Sequence, residues 1–516
     1  MNNLNIINNW IFRFLLIGTI TEAILFPAWE NIVGCVSFLF VWILLKNTIF
    51  KKENFETFFL PTFTMYGLAI CFHFLPLFAT LLEAKPLTFR FEVPFLTFGN
   101  QILNMLMLVA AYYICKINYK EDNWLSNLWY RFGFYETPTN SQLWFIGIAG
   151  CVGMLAMLFV QGTESGYASN LGIFGHFMQE LSKLAPIPIC LVFSSFFMNS
   201  NNGIKSKKTL FIYFILISLL GVATTQRTTI FTAAGMLAMC YFIKIILDKK
   251  TLIKGKNVFI ASVVVFLMTG PVADLAVAMS IAREMSYYSN SSSKTFDQVI
   301  SLYNNKELLH TLYNIQIAEA DNGGHNDYGW SEYYVDNVFL DRFCNIRVCD
   351  ATLYYVTKLG YDNPAMHDYV QKQLLYLVPS PILDAFGFKG SKFGDIYSPG
   401  DLISTKSLGY KNQYRGYRVA GDTGIGLYLW GYMYYVYALF IYVVLFFFLA
   451  SLTRNESYFT LTPYVMLGLI LYFWQFNNNS GIMRILNTIL RNGWQSVIIY
   501  CIVFSFARIV LPRKIV

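Results

Sequence analysis

The feature that most constrains this chain is a recurrence of apolar runs of roughly 17 to 25 residues, separated by short Lys-rich stretches. A helical run of that length matches the hydrocarbon thickness of a bilayer, and a lipid-exposed backbone can satisfy its own polar groups there only as a helix or a closed barrel. Hydrophobic residues make up 56% of the 516 positions and charged residues only 13%, too few to solvate so many apolar helices in water. The chain therefore reads as an all-α polytopic membrane protein with about twelve transmembrane helices and one large, mostly helical extracytoplasmic loop. The twelve segments lie near residues 10–28, 31–48, 58–82, 95–116, 142–161, 180–199, 210–226, 228–247, 257–281, 425–450, 459–476 and 493–511. The N-terminus reads as a retained first helix and not a cleaved signal.

The distribution of Lys and Arg threads these segments through the membrane, because cytoplasmic loops collect cations. With the N-terminus inside, the inner connections carry Lys46, Lys51 and Lys52; Lys116, Lys120 and Arg131; Lys205, Lys207 and Lys208; Lys249, Lys250, Lys254 and Lys256; Arg454; and, in the tail, Arg513 and Lys514. Both termini are then cytoplasmic. Outer loops 29–30, 83–94 and 162–179 are short, whereas 282–424 is long and mixed, with thirteen Lys and Arg against sixteen Asp and Glu. The expected organisation is nine helices in 1–281, the large loop in 282–424 and three helices in 425–516. The loop 477–492, with Arg484 and Arg491 and no acid, fits an outside position least well.

Seven of nine cysteines fall in or beside the spans, where a thiol is a small apolar side chain. Cys344 and Cys349, in "CNIRVC", are in the large loop, and either a local disulfide or two free thiols is compatible with the spacing. No CxxC pair, His-rich tract or HExxH occurs, so no protein metal site is expected.

The threading places "ATTQRTTIF", residues 223–231, in a tight outer hairpin. An Arg there runs against the positive-inside bias. Arg227 is then either an interfacial cation reaching lipid headgroups or a phosphate ligand, its forked donors joined by Thr224, Thr225, Thr228 and Thr229. On the same side "GYKNQYRGYRVAGDTGIG", residues 409–426, alternates Tyr410, Tyr414 and Tyr417 with Lys411, Arg415 and Arg418. Aromatic faces stack on sugars and guanidinium binds phosphate, so the mixture suits a glycolipid; an interfacial aromatic belt is the competing explanation. Arg283, Arg342 and Arg347 are further cations of the loop. For acid–base work the loop offers His310, His325 and His367 and carboxylates including Glu284, Glu332, Asp336, Asp341 and Asp422. Asp422, His310 and His325 are the catalytic candidates; Arg227, Arg283, Arg342, Arg415, Arg418, Tyr414 and Tyr417 are the binding candidates.

The whole-chain topology and two stretches, "TTQRTTIF" and "AGDTGIGLYLWGYMYYVYALF", resemble the O-antigen polymerases of the Wzy type and the related O-antigen ligases. The resemblance implies transfer of a glycan from an undecaprenyl-diphosphate-linked donor to a hydroxyl of a second lipid-linked repeat unit. The resemblance implies a reaction at the periplasmic face of a bacterial inner membrane without cofactor or metal, and attack of the hydroxyl opposite the leaving diphosphate would make it inverting. It implies membrane lipid and, as an optional partner, a chain-length regulator, and no nucleic acid. The family's hairpin Arg is matched by Arg227, and its loop Arg residues have their nearest equivalents in Arg342, Arg415 and Arg418. Where the ligases carry a His before the helix that follows the loop, this chain has Arg418 and Asp422, which favours the polymerase and leaves the base unassigned.

The alternatives are a ligase or another glycosyltransferase using lipid-linked sugars, a flippase of lipid-linked oligosaccharides, and a non-enzymatic envelope assembly protein. A flippase needs a polar central cavity, and ionisable residues within the spans are few: Glu22, His73, Glu180 with Lys183, and Asp274.

Overall fold

A computed structural model describes residues 3–161, 172–197, 207–223, 227–247, 263, 266, 269–287, 292–321, 330, 332–378, 386–387, 397–408, 418–454, 460–474 and 482–512. Among these the regular structure is helical, with no strand. Seven helices are long and apolar enough to cross a membrane: Asn3–Leu25, Trp29–Thr48, Phe59–Leu82, Pro94–Asn118, Thr229–Leu247, Asp422–Ser451 and Ile482–Val510. Within the described residues the other five of the twelve sequence segments overlap shorter apolar stretches: Asn140–Ala156, Ile187–Phe196, Lys208–Gly221, Pro271–Ala282 and Pro463–Trp474.

Polar contacts sort the bundle into two ends. At one, Trp129 Nε1 donates to Ser451 Oγ at 3.1 Å, Gln142 Nε2 to the Leu511 carbonyl at 2.9 Å, and Asn3 Nδ2 to the Ile245 carbonyl at 3.0 Å. Lys46, Lys116 and Arg508 lie at this end, bonded to Asn9, Asn54 and Glu136. At the other end residues 83–93 meet residues 334–350, part of the group of helices described between Pro271 and Leu408 and called the cap below. The Tyr334 hydroxyl donates to the Leu87 carbonyl at 2.6 Å, the amides of Asp336 and Asn337 both bond Glu83 at 2.9 Å, and Lys85 pairs with Asp336 at 2.8 Å. Trp474 Nε1 reaches the Arg342 carbonyl at 3.2 Å, so Pro463–Trp474 finishes under the same cap.

The segment expected as one span over 425–450 is broken. Gly431 has φ +54°, in the left-handed region that a residue with a Cβ enters at a cost, and it separates the helix Asp422–Trp430 from Tyr434–Ser451. Residues 423–429 are all buried. Beyond the break an exposed apolar stripe begins at Tyr432 and repeats every fourth residue through Val436, Phe440 and Val444, the spacing of one helix face. The 18 residues of Tyr434–Ser451 rise about 27 Å, close to the hydrocarbon thickness. The first helix therefore belongs with the cap. It lies against Ile346–Leu359, and the approach is too close for side chains: a Cβ on Gly421 would stand 2.7 Å from the Cys349 Cα, and one on Gly424 would stand 2.5 Å from Thr352 Cγ2.

Of the segment expected over 257–281, residues 263, 266 and 269 onward are described. From Pro271 onward this segment packs with Ser292–Asn304 and Lys306–Asp321 around Val277, Ile281, Val299, Leu302 and Leu309. The Gly270-Pro271 pair stands where that three-helix cluster begins, and Asn337 Nδ2 holds the Thr269 carbonyl at 3.0 Å.

Gly421→Ala should lower thermal stability in detergent by about 1–3 kcal/mol through overpacking against Cys349. Gly99→Ala, whose Cβ would meet nothing within 4 Å, should leave stability unchanged or raise it by up to about 1 kcal/mol. Thermal melts of both variants check the contrast.

Candidate functional site at the seam of cap and bundle

The cap is fastened through one carboxylate. Asp350 is fully buried and accepts from the amides of Glu92 at 2.6 Å and Val93 at 3.0 Å, from Thr97 Oγ1 at 2.9 Å and from an Arg347 terminal nitrogen at 3.0 Å. Three of these donors belong to the start of the Pro94–Asn118 helix and one to the cap helix Ile346–Leu359. Local sequence explains the geometry. Pro94 at the first turn needs no partner for a missing N–H, while the Val93 amide is an orphan donor of the N-cap, joined by the Glu92 amide before it and the Thr97 hydroxyl one turn on, at a helix end that favours an anion.

Arg418 is also turned inward. It is 6% exposed, and its guanidinium stands 3.4 Å from Asp401, which is itself fully buried. The Arg418 amide donates to the same carboxylate at 3.2 Å, the Ser398 hydroxyl bonds the Arg418 carbonyl at 2.7 Å, and the Val419 amide bonds Glu332 at 2.5 Å. With these partners, Arg418 positions the strand of chain leading into Asp422.

Asp422 opens the buried helix Asp422–Trp430, where a negative charge suits the helix dipole. The helix Ile482–Asn487 packs against it and carries Arg484, whose guanidinium lies within electrostatic range of Asp422. The same helix passes into a π-helical turn at Thr488–Asn492 that carries Arg491. Such turns widen a helix and frequently mark functional positions. Sequence reasoning noted Arg484 only as a topological misfit; the usable signal was two cations without an acid in an outer segment.

The remaining candidates are dispersed or fall elsewhere. The helix Arg227–Leu247 has its far end at Ile245, held by Asn3 among the basic connections, so the backbone of Arg227 is at the cap end. The side chains of Arg227 and Arg283 lie outside the described residues, as do Thr224, Thr225, His325, Tyr414, Arg415 and Tyr417. Arg342 is exposed beside Asp341, whose carboxyl is pushed up to about 6 by burial, against the lowering effect of the Tyr334 amide that it accepts. His310 is 3.9 Å from Asp274, which pairs with Lys306 at 3.0 Å on the three-helix cluster. His367 is 2.8 Å from Asp362. Cys344 and Cys349 are both buried free thiols, Cys349 lying beneath Gly421. Among the described residues no group of three His, Cys, Asp or Glu side chains is arranged to hold a metal ion.

Comparison with family models, with curated protein sequences and with solved structures finds no match to this chain.

Two outcomes test the electrostatics. Asp350→Ala should destabilise the fold by about 3–5 kcal/mol, since it strands the buried Arg347, and Arg347→Met combined with it should recover part of that loss in chemical or thermal unfolding. Because the folded-state carboxyl of Asp341 is raised, its contribution is full below about pH 4 and is lost as pH rises through about 6. Melting curves between pH 4 and 7 should therefore lose stability with rising pH more steeply in the wild type than in Asp341→Asn.

Proposed function

We propose that this protein is a membrane glycosyltransferase that polymerises lipid-linked oligosaccharide repeat units at the outer face of a bacterial inner membrane. In this reading the seven long helices and the five shorter apolar ones make twelve spans, the Lys-rich end faces the cytoplasm and the cap faces the periplasm. The observation that carries the reading is the helix Asp422–Trp430, buried under the cap and packed on the Arg484 helix Ile482–Asn487 at the end of an apolar bundle.

That arrangement suits a lipid diphosphate. Its tail stays among the spans while its phosphates reach the cap end, where Arg227 begins its helix and Arg484 and Arg491 lie on theirs. As the anomeric carbon leaves the bridging oxygen, charge grows on the diphosphate, and guanidinium groups held in a partly water-excluded site stabilise it without a metal ion. A base removes the proton of the acceptor hydroxyl as its oxygen attacks opposite the leaving group, which inverts the anomeric configuration. Arg342, exposed on the cap, adds a cation toward the sugars. Arg418, paired with Asp401, holds the segment that presents Asp422.

Deleting the protein should reduce the surface glycan to single repeat units, and an unchanged chain-length ladder would reject the reading. Arg227→Lys, at unchanged protein level, should lose polymerisation by about 100-fold or more; a wild-type ladder from that variant would remove Arg227 from the donor site.

A further inference from the structure

The proposed reaction needs a base, and the described cap offers a pair with suitable geometry. His367 Nε2 stands 2.8 Å from Asp362 Oδ1, while His310 is 3.9 Å from its nearest carboxylate. Since a carboxylate only accepts, it fixes the imidazole tautomer with the proton on Nε2 and leaves Nδ1 as the basic nitrogen. This is the arrangement in which an acid orients a histidine for proton transfer.

The position of the pair is set by the same elements that build the seam. The Asp362 amide donates to the Leu427 carbonyl at 3.2 Å and the Asn363 amide to the Tyr428 carbonyl at 2.7 Å, so the turn carrying Asp362 is stitched onto the buried helix Asp422–Trp430. Asn363 then caps the helix Pro364–Leu377, bonding the Ala365 amide at 3.1 Å, and His367 falls in its first turns. This helix packs against both Asp422–Trp430 and Ile482–Asn487, the helices of Asp422 and Arg484. Tyr361, beside Asp362, meets Tyr432 with ring centroids 5.4 Å apart, and Tyr432 is the first residue of the lipid-facing stripe. The pair therefore stands at the level where a span emerges from lipid, the level at which the first sugars of a lipid-linked glycan would lie.

Stability does not account for it. The side chains of His367 and Asp362 are 42% and 68% exposed, and an ion pair so open to water adds little to folding. Asp362 meanwhile adopts φ +54°, a conformation that costs a residue with a Cβ.

We infer that His367 is the catalytic base for the acceptor and Asp362 its positioning residue, an assignment that rests on the polymerase reading above. His367 Nδ1 takes the proton of the acceptor hydroxyl, the acceptor oxygen bonds the anomeric carbon of the donor, and the bond from that carbon to the diphosphate breaks, its electron pair leaving with the lipid diphosphate.

The test uses the full-length protein in liposomes with lipid-linked repeat units extracted from cells lacking it, scoring polymer length and initial rate. His367→Ala should lower kcat by about 100-fold or more with KM little changed, and added imidazole should restore part of the rate. Asp362→Asn should lower kcat by about 10-fold, with Asp362→Glu partly restoring it. If wild-type protein polymerises while His367→Ala matches its rate, the base assignment is overturned and the polymerase reading stands. A His367→Ala loss that imidazole does not relieve, with Asp362→Asn at wild-type rate, also overturns it. If wild-type protein makes no polymer, the polymerase reading fails and the base assignment with it.

Discussion

One buried carboxylate holds the arrangement together. Asp350 gathers four donors, three from the entrance of a membrane helix and one from the cap helix that carries it. A buried charge is tolerable only when its hydrogen-bonding capacity is filled, and these donors fill it from two separate parts of the chain. The seat of the cap follows. With Ile346–Leu359 fixed over the bundle, Gly421 and Gly424 let the following helix lie directly on it, Gly431 turns the chain down into the lipid-facing span, and the helix that opens with Asp422 packs on the one that carries Arg484. The turn at Asp362 docks on the same helix and brings His367 to the edge of the seam.

This dependence separates scaffold from chemistry. Asp350 with Arg347 and Asp401 with Arg418 are buried pairs that fix where chain segments run, and their charges are spent on each other. Arg484, Arg491 and the helix that starts at Arg227 occupy the same end of the molecule. Charges committed to structure hold that end in place before any ligand arrives.

Much of the fold could be read from the chain because hydrophobic length and Lys placement are local properties. Each of the twelve apolar segments overlaps an apolar helix, and seven of those helices have the length to cross a bilayer. Hydropathy was less informative where an apolar segment runs into protein: residues 423–429 are buried by protein, and burial by protein and exposure to lipid look alike in a window average. The site was less legible. Arg418 looked like a ligand because its partner Asp401 is 17 residues away, and Arg484 looked like a loop cation because Asp422 is distant in sequence. The Asp362–His367 pair lies only five residues apart, but its use depends on the helix beneath it.

The central claim is that a lipid diphosphate is bound at the cap end, where the helices of Asp422 and Arg484 pack together. A polyprenyl diphosphate sugar bearing a photoreactive group beside the phosphates, cross-linked in membranes and mapped by mass spectrometry, addresses this directly. The account predicts labelled peptides from 418–430 and 482–492, competed by unlabelled lipid diphosphate. Labelling confined to the opposite end, in the 119–139 connection or around 48–58, would contradict it.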